Sequence, residues 1–369
     1  MKHFAKRLAL MLAALMLLLC FTGCGAKSPV AISFGATEFT ANMYSYWLST
    51  YKAAFLYSMT GQTTDNIQYW QMEIGEGVTY GDYLGAMAAS EIMVKAVCHE
   101  LFNTYGLTLT AEEEAQLDDR IVTLEQKVGS RSALNSVLSA YGINADILRE
   151  INEIDFKVQK LQQHLFGEGG EQAPTAEEID AFYNQNYYRT KYIFLSTQFE
   201  YERDENGALI LDEETQAYKT RELSASETKA KEELADDLDK RIAAGEDFDK
   251  LVLEYSMDTG MQKFTDGYYF TTASTFMTPD VMSAVMGMEI GAMKTIENDN
   301  GIFIIKRYEL QSKKYDDTEY KPYMFADLAA NVGTVKLQSM VSGYADSVVV
   351  NDTVIANYPF ATVTPNFYY

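Results

Sequence analysis

Lys191-Tyr192-Ile193-Phe194-Leu195-Ser196 and Gly301-Ile302-Phe303-Ile304-Ile305-Lys306 decide the fold of this chain. The first run places apolar side chains at successive positions, so both its faces need covering, as in the middle of a sheet, and the second reads as the module's final strand. Asn298-Asp299-Asn300-Gly301 is a turn that feeds the second run and predicts a strand ahead of it. Between the two runs the period becomes helical. Ser224-x-x-Glu227 opens a helix with Ala230, Leu234, Leu238 and Ile242 on one face, ended by Gly245. Asp247 caps a second helix with the stripe Phe248, Leu251, Val252 and Tyr255, and Thr278-Pro279 starts a third. An Asn206-Gly207 pair between the extended runs of Arg203–Ile210 predicts a hairpin inserted after the first strand. The order strand, helix, helix, loop, helix, strand, turn, strand predicts a mixed module over residues 190–310.

Outward from this module the chain reads differently. From Thr40 to Phe166 it is helical, with Met43, Trp47, Tyr51 and Phe55 four apart. Tyr83, Met87, Val94, Cys98 and Phe102 lie near one face of a second long helix, and Thr110-x-x-Glu113 is a capping box before Leu117, Ile121, Leu124 and Val128. Ile147, Ile151, Ile154, Val158, Leu161 and Leu165 predict a further helix packed on another. Stripes of this kind build a core rather than a binding groove. Gly167–Pro174 is a glycine-rich linker, followed by a helix capped by Thr175-x-x-Glu178. After the module, Pro322 to Ser342 predicts a helix that buries Phe325, Leu328, Val332, Val335 and Met340. A strand from Ser347 to Val350 and an extended tail complete the chain.

The first residues carry a separate message. Lys2, Lys6 and Arg7 precede an apolar run from Leu8 to Phe21. That run is too short for the ~20 residues that span a bilayer comfortably, and fits a cleaved secretory signal. Phe21-Thr22-Gly23-Cys24, followed by Gly-Ala-Lys-Ser, resembles the lipobox of bacterial lipoproteins. The resemblance implies removal of residues 1–23, lipid modification of Cys24, and anchoring at the cell membrane on the extracytoplasmic face. An ordinary signal peptide with a chance cysteine is the alternative. Cys20 leaves with the leader, so Cys98 remains as a single thiol, read as a small buried hydrophobe. No cysteine or histidine spacing suits a metal, and no phosphate loop or nucleophile elbow calls for a cofactor or a hydrolase. Without the leader's three bases, 27 Lys and Arg face 53 Asp and Glu, a net charge near −26. Such a surface repels nucleic acid and anionic headgroups.

Four pieces of the module resemble parvulin-type peptidyl-prolyl isomerases. They are Lys191–Leu195, Ile242–Asp258, Met277–Gly291 and Gly301–Lys306, in the family's order. The helix wording Pro174–Tyr183 resembles that of PrsA- and SurA-like chaperones just before their isomerase domain. The resemblance implies an α+β protein: an all-helical chaperone core with an inserted antiparallel-sheet module. The implied plan is a helical domain over 24–166, linker and helix over 167–189, the isomerase-like domain over 190–310, a segment over 311–350 returning to the chaperone domain, and a tail over 351–369.

Site residues carried over by the resemblance are incomplete. Tyr192 and Phe303 stand where the family usually has two histidines on neighbouring strands, and Asp258 matches its cysteine-or-aspartate position. Met277 matches an apolar methionine, and Val281 falls where a phenylalanine usually closes the proline pocket. Met286 and Tyr269 join them as substrate-binding candidates, while the family's glycine-rich stretch is reduced to Lys263–Gly267. Rotating an X-Pro bond needs no proton transfer, only a grip that favours the twisted amide across a barrier of ~18–20 kcal/mol for ordinary peptide bonds. The expectation is a folding factor acting on unfolded or newly secreted polypeptides, with weak or absent turnover and retained peptide binding. A solute-binding lipoprotein would show repeated β-α units, against the long helical block before Gly167. A structural envelope lipoprotein with one fixed partner stays open as the third reading.

Overall fold

A computed structural model describes residues 28–368, so the leader, Cys24 and the lipobox lie outside the described residues. The chain divides into two units. One ends at Ala173 and resumes at Gly333; the other is Pro174–Val332.

The first unit opens with strands β1 (Val30–Phe34) and β2 (Thr37–Thr40), then helix α1 (Ala41–Thr60). A short helix α2 (Ile67–Gln71) and the hairpin β3 (Glu73–Gly75) and β4 (Val78–Thr79) lead into α3 (Tyr80–Thr104). Helices α4 (Ala111–Val128), α5 (Arg131–Leu138) and α6 (Ala145–Phe166) follow. This half is not all-helical as expected, because β1 sits between β2 and a strand supplied by the C-terminal segment. On α3 the expected stripe holds only in its second half, where Cys98 and Phe102 are buried, while Tyr83 and Met87 are exposed. The first half instead buries Leu84, Ala88 and Ile92. A Cβ at Gly85 would stand 3.0 Å from Phe360 Cβ, so the glycine side of α3 is the one that admits close packing.

The second unit begins with α7 (Ala176–Asn186), capped by Thr175 and Glu178, and β5 (Tyr188–Ser196). The insertion follows as β6 (Phe199–Tyr201) and β7 (Thr220–Glu222), with Gly207 in left-handed backbone at its Asn-Gly tip. Next come α8 (Ala225–Ala243), α9 (Phe248–Tyr255), α10 (Thr259–Lys263), β8 (Tyr268–Phe270), α11 (Pro279–Met286), β9 (Met293–Asn298) and β10 (Gly301–Tyr308). The sheet is antiparallel in the order β8-β5-β10-β9, which places the two apolar runs at its centre. Helices α8, α9 and α11 pack on β5 and β10. The helix expected from Pro322 is broken into α12 (Lys321–Met324) and α13 (Leu328–Ser342). Phe325 and Leu328 belong to the core of the second unit, whereas Val335 is exposed.

The C-terminal segment supplies β11 (Val349–Val350), which pairs with β1, and α14 (Asp352–Ile355). Beyond it the tail is packed rather than extended. Phe360 and Val363 are buried in the helical core. Lys52, with no exposed surface, donates to the carbonyls of Ala361 and Val363, each at 2.8 Å, and to Asp65 Oδ2 at 2.7 Å.

Candidate functional site

α9 ends at Tyr255, and the chain then runs briefly beside β5. The Met257 N–H donates to the Phe194 carbonyl at 2.8 Å, and the Phe194 N–H donates to Ser256 Oγ at 3.1 Å. These two bonds deliver Asp258 to the level of Tyr192. Asp258 also caps α10, accepting from the Gly260 N–H at 2.8 Å. On the far side of α10, Gly267 turns the chain into β8. Its φ is +94° and a Cβ there would lie 2.4 Å from the Thr190 carbonyl, so only glycine lets β8 approach β5 this closely.

The centre of the site is a carboxylate shared by two phenols. The Tyr192 hydroxyl donates to Asp258 Oδ2 at 2.5 Å, and the Tyr268 hydroxyl lies 3.0 Å from Oδ1 and 3.1 Å from Oδ2. Burial first, and then the adjacent charge of Asp258, push the Tyr192 phenol well above its ordinary range; the same causes raise Tyr268. Both phenols therefore stay protonated and act as donors to the acid. Tyr268 was missed at the sequence level, although it lies among three consecutive aromatics.

Phe303 and Tyr192 lie on neighbouring strands, but they are not opposite one another. Phe303 pairs with Phe194 and Tyr192 with Ile305. The Phe194 and Phe303 rings stack at 4.7 Å between centroids, while Tyr192 meets Phe303 diagonally and edge-on at 5.6 Å. The directly opposed aromatic pair is thus Phe194 with Phe303, while Tyr192 and Phe303 meet as the diagonal pair. Met277 and Val281 are buried in the same core cluster as these rings. Met286 is 36% exposed and closes α11 at the end opposite Met277. Tyr269 belongs elsewhere: adjacent strand residues face opposite sides, and its hydroxyl donates to Gln311 Oε1 at 2.9 Å while its ring packs against Tyr320 and Phe325.

What this arrangement can do is limited by its closure. Asp258 accepts from two hydroxyls and one N–H, so its charge is already matched by donors. Tyr192 spends its one proton on Asp258 and has none left for a substrate carbonyl. The apolar side chains around it, Phe303, Met277 and Val281, are buried in the core. Among the described residues no group of three or more His, Cys, Asp or Glu could hold a metal ion. Cys98 is buried and its thiol is pushed up to about 12, chiefly by burial, so it is unreactive at neutral pH.

Residues 207–311 match the family model of the PPIC-type PPIase domain. The chain contains a parvulin-type domain. The matched stretch includes Asp258, Met277, Val281 and Phe303 and begins after β5, so Tyr192 lies outside it. No curated protein matches the chain. Among solved structures, the chain is similar to PrsA from Bacillus subtilis, with 18% identity, 78% of this chain and 90% of that one covered, and a TM-score of 0.24. The foldase protein PrsA from Streptococcus pneumoniae aligns at 17% identity over 79% of this chain and 96% of its own, also with a TM-score of 0.24. A structure from work on two SurA-like chaperones of Campylobacter jejuni, PEB4 and Cj1289, aligns at 10% identity, covering 88% and 99%, with a TM-score of 0.24.

Proposed function

We propose that this protein is a lipid-anchored, extracytoplasmic folding factor whose parvulin-type domain binds polypeptide and turns over X-Pro bonds weakly or not at all. The observation that carries the reading is the Tyr192–Asp258–Tyr268 cluster inside a domain of isomerase type. An isomerase site gains rate from polar groups that meet the twisting amide. Here those groups satisfy one another. The apolar wall that remains, Phe303, Met277, Val281 and the more exposed Met286, is what would meet the apolar side chains of an unfolded chain. Anchoring through Cys24 would hold this wall beside polypeptides newly released at the membrane surface.

Exchange NMR on a proline-containing tetrapeptide with the full mature chain tests the chemistry, and light scattering of a denatured client tests the folding role. The expected result is an isomerisation rate at the uncatalysed level together with suppressed aggregation. Rapid turnover would reject the degenerate site, and unchanged aggregation would reject the folding factor.

A further inference from the structure

The geometry points to a second polypeptide site in the sheet-bearing unit: a cavity that takes a short, uncharged, aromatic- or proline-containing extended segment. It deepens the function proposed above and rests on that reading for the identity of its ligand. The cavity has a volume of about 640 Å³, within the size range of small-molecule and peptide side-chain sites. It is bounded by the C-terminal end of α7, the first residue of β5, the loop after β8, and α12.

Its wall is aromatic and free of charge. Tyr187 and Phe325 form a buried floor, with ring centroids 5.3 Å apart, and Tyr188 stacks on Phe270 at 5.6 Å. At the rim, Phe276 is 44% and Tyr323 57% exposed. Neither rim ring is loose: Phe276 meets Tyr268 edge-on at 5.7 Å, and Lys263 lies 3.8 Å over Tyr323. Large rings held in place yet left facing water mark a contact surface. Polar capacity comes from the hydroxyls of Thr271, Thr272, Ser274 and Thr275 and the amides of Gln185 and Asn331. No Asp, Glu, Lys or Arg lines the cavity, in a chain of which 22% is charged and whose net charge is −23.

Those features select the ligand. Rigid rings stack on proline or aromatic side chains, as in other grooves that read extended proline-rich segments. Hydroxyls and side-chain amides suit the alternating N–H and C=O of a peptide backbone. A charged side chain on the floor, between Tyr187 and Phe325, would lose its hydration with no lining charge to pair it and is disfavoured there; near the rim, Lys263 is the cation over Tyr323.

Titration calorimetry on the full chain with acetyl-Gly-Pro-Tyr-Pro-Phe-Gly-amide tests this, beside the same peptide flanked by Asp in place of Gly. Binding of the neutral peptide is expected, weakened roughly tenfold by Tyr323→Ser, the scale of one stacked ring. Thr272→Asp, at an exposed loop position, and the Asp-flanked peptide are expected to weaken it by a similar factor. Absence of binding, equal affinity for both peptides, or indifference to both substitutions would overturn the site. Tighter binding of neutral maltohexaose at the same rim would overturn the peptide assignment. The aggregation assay separates the two proposals. Peptide binding lost in Tyr323→Ser, with clients left unprotected by the wild type, upholds the site and rejects the folding role. Clients protected by a wild type whose peptide binding ignores the rim upholds the folding role and rejects the site.

Discussion

Asp258 shows how one side chain can fasten three elements at a point. Its carboxylate draws hydrogens from Tyr192, Tyr268 and the Gly260 amide, joining β5, β8 and α10 at a single point. Bonds to an ionised acceptor contribute about 1.5–3 kcal/mol each, more than neutral ones. Tyr192→Phe removes one of them while keeping the ring. It is expected to destabilise the unit by roughly 1–3 kcal/mol in urea unfolding, with no change in isomerisation rate. An unchanged urea midpoint would remove the hydroxyl from this role. The sequence pointed to Asp258 through its match to the family position, and the structure adds its role as the cap of α10. Which of Tyr268 and Tyr269 joins it was not legible there. Strand parity is set by register, and the register of β8 depends on where Gly267 lets it meet β5.

Between elements, His99 ties β2, α3 and α6 together. The Lys157 ammonium can only donate, so His99 Nε2, at 3.3 Å, accepts, and Nδ1–H donates to Thr37 Oγ1 at 3.0 Å. Thr37 passes its own hydrogen to Glu100 Oε2 at 2.9 Å, and Glu153 pairs with Lys157 at 2.8 Å. Burial, and then the Lys157 charge, hold the imidazole below its ordinary range, against the opposite pull of Glu153 and Glu100. With the folded pKa depressed, the unfolded chain binds more protons as pH falls. Stability from this contact is therefore complete above the unfolded value of about 6.5 and is lost as pH drops through it toward the folded value. Melting curves between pH 7.5 and 5 are expected to fall more steeply for wild type than for His99→Gln, which keeps one donor and one acceptor. Parallel curves would remove His99 from this role. The capping boxes at Thr110, Thr175 and Ser224 stood in the sequence because they are local. β1 and β2 did not, being short and part polar, and made stable by a partner strand more than 300 residues away.

Across the whole molecule, the least legible feature is the tail. Its anchor is Lys52, whose ammonium bonds to Asp65 and to two carbonyls over 300 positions downstream, while Trp70 Nε1 donates to the other oxygen of Asp65 at 2.6 Å. A lysine in a helix gives no hint in sequence that it will be enclosed, since most lysines are exposed. Lys52→Met leaves Asp65 and both carbonyls without the ammonium. Asp65 keeps part of its side chain in water, so the loss is chiefly that of the charge-assisted bonds to the two carbonyls, about 1.5–3 kcal/mol each, and unfolding of the helical unit is expected to shift by roughly 2–4 kcal/mol. Limited proteolysis is expected to trim the chain beyond Asn357 sooner than in wild type. Unchanged cleavage would mean the tail is held by Phe360 and Val363 alone.

The interruption of one unit by the other also imposes a timetable on biogenesis. Synthesis and export both proceed from the N-terminus, so residues 174–332 emerge before Gly333 and the sheet-bearing unit has its full sequence while its host still lacks β11 and the Lys52 ligands. Until the final residues emerge, the outer edge of β1 and the niche around Trp70 stay open, the kind of transient exposure that invites mispairing. A protein with this plan is a late finisher, and for that interval it is itself in need of protection.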